Sequence, residues 1–282
     1  MRLRRVLPIL FAAAILAGCG ATAPATPAKP AAPTASAAPA SGTVSVLYAG
    51  SLVNMMEHQL GPAFAKASGY GFQGYGGGSS AVANEIKGKL RRGDVFISAS
   101  PAVNDTLMGS GGGGWVSWYL TFAQAPVVIG YNPQSKFAAD LKAKPWAQAL
   151  AEPGIQVGST DPKLDPKGKL VADLLSKDAP AVKPQVFPEQ ELIGRLQSGQ
   201  LDAGFFYANE AAEAKIPTIR LDRAPSASYT VTTLANGPNP AGALAFVRFL
   251  LGPQGQALLK ADGLTVIVPP QPTGAVPAGL RG

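Results

Sequence analysis

Three short apolar runs near the start of the chain alternate with stretches of helical period. Val44, Val46, Leu47 and Tyr48 make residues 44–49 a β-rich run, closed at once by Gly50 and Ser51. Leu52, Met55, Met56, Leu60 and Phe64 then recur near a 3.6-residue period, which predicts a helix over 52–67. Pro62 bends that helix or splits it in two. Residues 70–75 predict a second strand, Gly76-Gly77-Gly78 a turn, 81–92 a second helix, and 94–98 a third strand. The order β-α-β-α-β predicts an α/β fold on a mostly parallel sheet.

The pattern continues at a second level. The apolar run 122–131 reads as a crossover into another domain. Residues 155–158 predict a strand leading to Ser159-Thr160-Asp161-Pro162, 166–175 a helix, and 202–207 a buried strand. Residues 188–197 predict a helix with Glu189 and Glu191 at its positive end. Helices over 241–251 and 254–260, broken by Gly252-Pro253, precede a closing strand over 266–270. The expected architecture is two α/β lobes: 43–124 with 232–282 as lobe I, and 125–231 as lobe II.

The first 42 residues read differently. Arg2, Arg4 and Arg5 precede a dozen mostly apolar residues, too few to cross a bilayer but suited to a secretory signal over 1–18. Leu16-Ala17-Gly18-Cys19 has the form of a bacterial lipobox, and Cys19 is the only cysteine of the chain. Acylation there would anchor the protein in a membrane. Residues 19–42, rich in Ala and Pro, read as a disordered spacer.

Composition narrows the classes. A single Cys and a single His exclude an internal disulfide framework and leave little for metal or His-based catalysis. The net charge is +7, yet residues 43–275 hold 19 basic and 17 acidic residues. A net of +2 is no footprint for nucleic acid.

Two places share one design: a strand ends, glycines turn, a serine appears and a helix starts. They are Gly50-Ser51 and Gly78-Ser79-Ser80. Each serine either caps its helix or, with the free first-turn N–H groups, faces an anion. Ligands of open α/β sheets bind at the carboxyl ends of strands, where both loops fall. The glycine-rich run 109–114 lacks a following Lys-Ser/Thr and reads as a surface connection rather than a P-loop. Trp115, Trp118 and Tyr119 read as core at the lobe junction. Ser51 and His58 are the one Ser–His pair for a hydrolase; about 10 Å of helical rise separates them.

The runs Tyr48-Ala49-Gly50-Ser51-Leu52, Gly78-Ser79-Ser80-Ala81 and Asp94-Val95-Phe96-Ile97-Ser98 occur in order. Asp161-Pro162-Lys163-Leu164-Asp165-Pro166-Lys167-Gly168 and the stretch 192–207, ending at Tyr207, follow. Together this set resembles the molybdate/tungstate-binding proteins, periplasmic receptors of ABC importers. The resemblance covers about 44–270. It implies a two-lobed periplasmic-binding-protein fold with a hinge crossover, closing on a tetrahedral oxyanion. It implies no enzyme activity, no cofactor, a single copy, an ABC permease as partner, and a place in the cell envelope.

Carried over by motif, Gly50, Ser51 and Ser79 would line the anion, and Tyr207 would donate its phenol O–H. Asp165-Pro166-Lys167 and the helix start at Glu189 would add backbone donors. Neutral donors, without any Lys or Arg, would hold the dianion. One branch of the family adds an Asp and a Glu to the coordination of the metal. Asp165 stands at the Asp position, but Phe206 stands at the Glu position and Lys169 at a usual Tyr. The expectation is therefore a four-coordinate oxyanion, with no other metal site, and Asp165 turned away or capping the next helix. Sulfate, phosphate or a small organic anion remains as an alternative ligand.

Overall fold

The computed structural model describes residues 42–280. The expected signal segment, Cys19 and nearly all of the spacer lie outside the described residues. The strands are β1 (Thr43–Ala49), β2 (Gly71–Gly77), β3 (Val95–Ser98), β4 (Trp118–Tyr131), β5 (Val157–Thr160) and β6 (Gln185–Phe187). They continue with β7 (Ala203–Tyr207), β8 (Thr218–Arg220), β9 (Ser226–Thr233) and β10 (Thr265–Gly274). Their path is β2-β1-β3-β9-β4-β7-β5-β6, with β8 and β10 also paired to β4.

The sheet is mixed, a correction to the mostly parallel one expected. β1 runs parallel to β2 and β3, and β5 runs parallel to β6 and β7. Between these two groups stand the crossing strands, and they pair antiparallel. The reason lies in chain path. A strand that leaves one half and a strand that returns must run in opposite directions, whereas strands joined through a helix run together.

β4 is long enough to serve both halves. Its first part, through Pro126, pairs with β9, and from Val127 it pairs with β7. Pro126 sits opposite Ser226, where the chain re-enters β9. β9 also pairs with β3, through residues 230–233.

Local chemistry explains the elements that place the site. Residues 203–207 are wholly buried, as a short apolar strand between neighbours must be. The helix after Ser51 stays continuous through Pro62. A π-turn, Met56–Leu60, precedes it, and Pro62 falls in the first turn of Gly61–Ser68, where a missing N–H costs little. The second helix is Ser79–Lys87, shorter than expected, because Gly88 ends it and Lys89 takes a left-handed φ of 58°. Among the described residues no helix is long and apolar enough to cross a membrane.

Candidate functional site

The carboxyl ends of the parallel strands face one another across the two halves. From the first half come Gly50-Ser51 after β1, Gly78-Ser79 after β2 and Ala99 after β3. From the second come Thr160 at the end of β5, Glu189 after β6 and Tyr207 at the end of β7.

The halves touch here. Ala81 N–H in the first turn of helix Ser79–Lys87 donates to the Leu164 carbonyl at 3.0 Å. Asn209 Nδ2 donates to the Ser51 carbonyl at 3.2 Å, and Gln190 Nε2 to the Gly76 carbonyl at 3.3 Å. Two glycines permit this closeness. A Cβ on Gly50 would strike the Glu189 carboxyl group, and one on Gly78 would lie 2.6 Å from the Leu164 carbonyl oxygen. A cleft of about 500 Å³ remains at the edge of the contact, lined by Gly77, Gly78, Thr160, Asp165 and Glu189 among others.

Neither serine caps a helix. The Ser51 hydroxyl is buried and lies 2.8 Å from the Tyr229 hydroxyl. The Ser79 hydroxyl accepts from Ala99 N–H at 3.1 Å, fixing helix Ser79–Lys87 to the end of β3. His58 is exposed on its helix, so the partner of Ser51 is Tyr229 and not a histidine.

Asp165 caps helix Pro166–Asp178. Its Oδ1 accepts the Lys167 N–H at 2.6 Å, while its buried Oδ2 has no partner. That bond occupies a backbone donor the sequence assigned to a ligand. Phe206 is buried among Val128, Leu192 and Leu196, in an apolar cluster away from any polar role.

The main departure from expectation is Lys167. Its side chain is fully buried, and Nζ donates to Glu210 at 2.9 and 3.0 Å and to Glu189 Oε1 at 3.2 Å. A site expected to hold no cation is built around one. Glu210 Oε2 also accepts the Tyr207 N–H at 2.7 Å, which ties the ammonium to the end of β7. The Lys167 ammonium lies 5.2 Å from the centre of the Tyr207 ring.

Electrostatics follows from this enclosure. Burial pushes the Lys167 ammonium toward losing its proton, but Glu210, Glu189 and Asp165 outweigh burial and hold it above the ordinary lysine range. Burial, then the nearby Asp165 carboxyl, pushes Glu189 well above the carboxylate range. Burial likewise raises Tyr207 and Tyr229, so both stay neutral donors.

The Tyr207 hydroxyl is buried with no partner. An unsatisfied buried hydroxyl costs about 1–3 kcal/mol, which makes it a place where a ligand acceptor is favoured. Ser159 and Thr160, at the end of β5, also carry buried hydroxyls without partners. Tyr229 was not anticipated from the sequence. It stacks edge-on to Tyr207 with centroids 6.1 Å apart and completes the wall. Among the described residues no group of His, Cys, Asp and Glu is arranged to hold a metal ion.

The family model for bacterial extracellular solute-binding proteins matches residues 44–265. A putative ABC transporter molybdenum-binding protein of Haloferax volcanii is 31% identical over 79% of this chain and 68% of its own length. The molybdate/tungstate-binding protein WtpA of Thermococcus kodakarensis is 23% identical over 85% of this chain and 86% of its own. Among solved structures, the periplasmic molybdate-binding protein of Azotobacter vinelandii superposes with a TM-score of 0.63 at 20% identity. That match covers 80% of this chain and 99% of the other. The sulfate-binding protein SubI of Mycobacterium tuberculosis gives 0.67 at 17% identity, covering 81% and 88%. These last two likenesses are of fold.

Proposed function

The chain belongs to the bacterial extracellular solute-binding proteins, and from that premise we propose that it binds molybdate or tungstate between its lobes for an ABC importer. Two relatives named for binding molybdenum, or molybdate and tungstate, support the ligand class. The observation that carries the reading is the Tyr207 hydroxyl, buried without a partner in a site closed by Gly50 and Gly78.

In this reading the anion lies between the Ser51–Ser79 edge and Tyr207. Neutral hydroxyls, and first-turn N–H groups of helix Ser79–Lys87, donate to its oxygens, because a dianion leaves water only when its oxygens are hydrogen-bonded. Burial, then the Asp165 carboxyl, disfavours charge on Glu189, which lessens its repulsion of the anion. Lys167 offsets Glu210, so that the wall meets the anion without an excess of negative charge. The lobes divide at the two crossings, near Pro126 and Ser226, and hinge there.

The protein acts as a single copy outside the cytoplasm, tethered through lipid on Cys19, and it catalyses nothing. It delivers its ligand to the permease. Melting curves with molybdate, tungstate, sulfate and phosphate test this. The first two raise the midpoint, by the mass-action gain of a ligand bound only to the folded state. No shift with any of the four overturns the reading. A shift with sulfate or phosphate alone replaces the ligand.

A further inference from the structure

The sequence Lys87-Gly88-Lys89-Leu90-Arg91-Arg92 joins helix Ser79–Lys87 to β3, and its place in the fold is informative. Leu90, at the loop tip, is 81% exposed, the most exposed large apolar side chain among the described residues. Lys87, Lys89 and Arg92 are exposed and, among the described residues, none has a carboxylate at ion-pair distance. Arg91 differs: it pairs with Glu85 at 2.8 Å and stacks on the Tyr75 ring. The other acid nearby, Asp94, is buried and accepts backbone N–H groups from Ser45 and Asn239 at 2.8 and 2.6 Å. The loop therefore carries unopposed positive charge around an apolar tip. Beside it lies a hollow of about 310 Å³ whose rim holds Lys89, Arg91, Arg92 and Trp115, over a floor of Ile86 and Leu234.

Strand register fixes which way this loop faces. β1 and β3 are parallel with Val46 opposite Val95, so Arg92 and Gly93 lie level with the first residues of β1. β2 is parallel too, with Gly71 opposite Thr43, which brings Tyr70 and exposed Lys66 to the same edge. The loop thus stands at the amino ends of the strands, opposite Gly50 and Gly78. Residue 42, the first described, leads into β1 at this edge, and Cys19 stands 23 positions earlier in the sequence.

We propose that the Lys87–Arg92 loop rests on a bilayer of anionic lipid, with Leu90 entering the interface and the cations on the headgroups. Charge complementarity and the entry point of the chain argue for this partner. The choice of a bilayer over a protein rests on the cleft reading above, since a permease takes its ligand at the opposite edge. Each cation near an anionic surface contributes roughly fivefold to partitioning, so three unpaired ones contribute roughly a hundredfold. Salt weakens the contact. The contact holds the cleft away from the membrane while the protein collects ligand.

The full chain, added to preformed vesicles of phosphatidylcholine with or without phosphatidylglycerol, tests this through lysine acetylation read by mass spectrometry. Lys87 and Lys89 become at least about tenfold slower to acetylate on the anionic vesicles, and high salt restores them. Exposed Lys260, on another helix, keeps its rate. The double variant Leu90→Ser, Arg92→Gln loses most of the protection while its melting curve holds. Equal rates on both vesicles overturn the proposal. So does protection seen only in native membranes carrying an importer, which assigns the loop to a protein. The readout needs no anion, so protection in a chain that binds no molybdate would remove the cleft reading alone.

Discussion

Lys167 Nζ lies 2.9 Å from Glu210 Oε2, both side chains buried, where helices Pro166–Asp178 and Ala208–Glu213 of the second half meet. Removing the cation leaves Glu210 without a counter-charge in a dry site. Lys167→Met therefore loses about 3–5 kcal/mol of folding stability, read from urea unfolding. Lys167→Met with Glu210→Gln recovers part of that loss, because the uncompensated charge goes with it. A single-variant loss below about 1 kcal/mol, the scale of a surface pair, would contradict the burial of this ion pair.

Tyr207→Phe separates binding from folding. The hydroxyl has no partner among the described residues, so its removal leaves the melting temperature unchanged or slightly higher. Molybdate affinity falls by about 10- to 100-fold, the worth of a hydrogen bond to a charged acceptor. Calorimetric titration of both proteins checks this, and unchanged affinity would take Tyr207 out of the site.

Gly50 tests closure. A methyl group there meets the Glu189 carboxyl across the cleft. Gly50→Ala disfavours the closed form by about 1–3 kcal/mol, as overpacking does, while each lobe keeps its own core. The expected result is weaker anion binding and a larger radius of gyration by small-angle scattering. Wild-type compactness with full affinity would show that the halves do not meet at Gly50.

Asp262 gives a pH dependence. Its Oδ2 accepts from Asn209 Nδ2 at 3.3 Å, and burial, then the charge of Glu213, raises its pKa to about 7. The folded protein binds this proton more tightly than the unfolded chain. The stability it brings is complete below the ordinary Asp range and is lost as pH rises through 7. Glu189 acts in the same direction. Unfolding midpoints are thus lower at alkaline than at acidic pH, and Asp262→Asn narrows the difference. An undiminished difference in that variant would exclude Asp262 as a source.

Much of the frame was legible in local pattern. Val44 to Ala49 and Asp94 to Ser98 announce strands because a strand between neighbours must be apolar on both faces. Gly50-Ser51 and Gly78-Ser79 announce the site loops because glycine lets backbone approach closely. The rest depends on partners distant in sequence. Lys167 in the first turn of a helix reads as a surface residue until Glu189 and Glu210, from two other elements, surround it. Ala227, Tyr229 and Val231 alternate with polar residues, a strand signal that was there to be read. That Tyr229 meets Ser51, 178 positions away, follows only from the crossing strands. Those crossings also make the sheet mixed, a property of chain path that no local window carries.

The most direct measurement is anomalous scattering at the tungsten edge from crystals grown with tungstate. The account predicts one strong peak enclosed between the lobes, within hydrogen-bond reach of the Tyr207 hydroxyl and the start of helix Ser79–Lys87. Peaks only on the outer surface, or none in a protein whose lobes are closed, would contradict it.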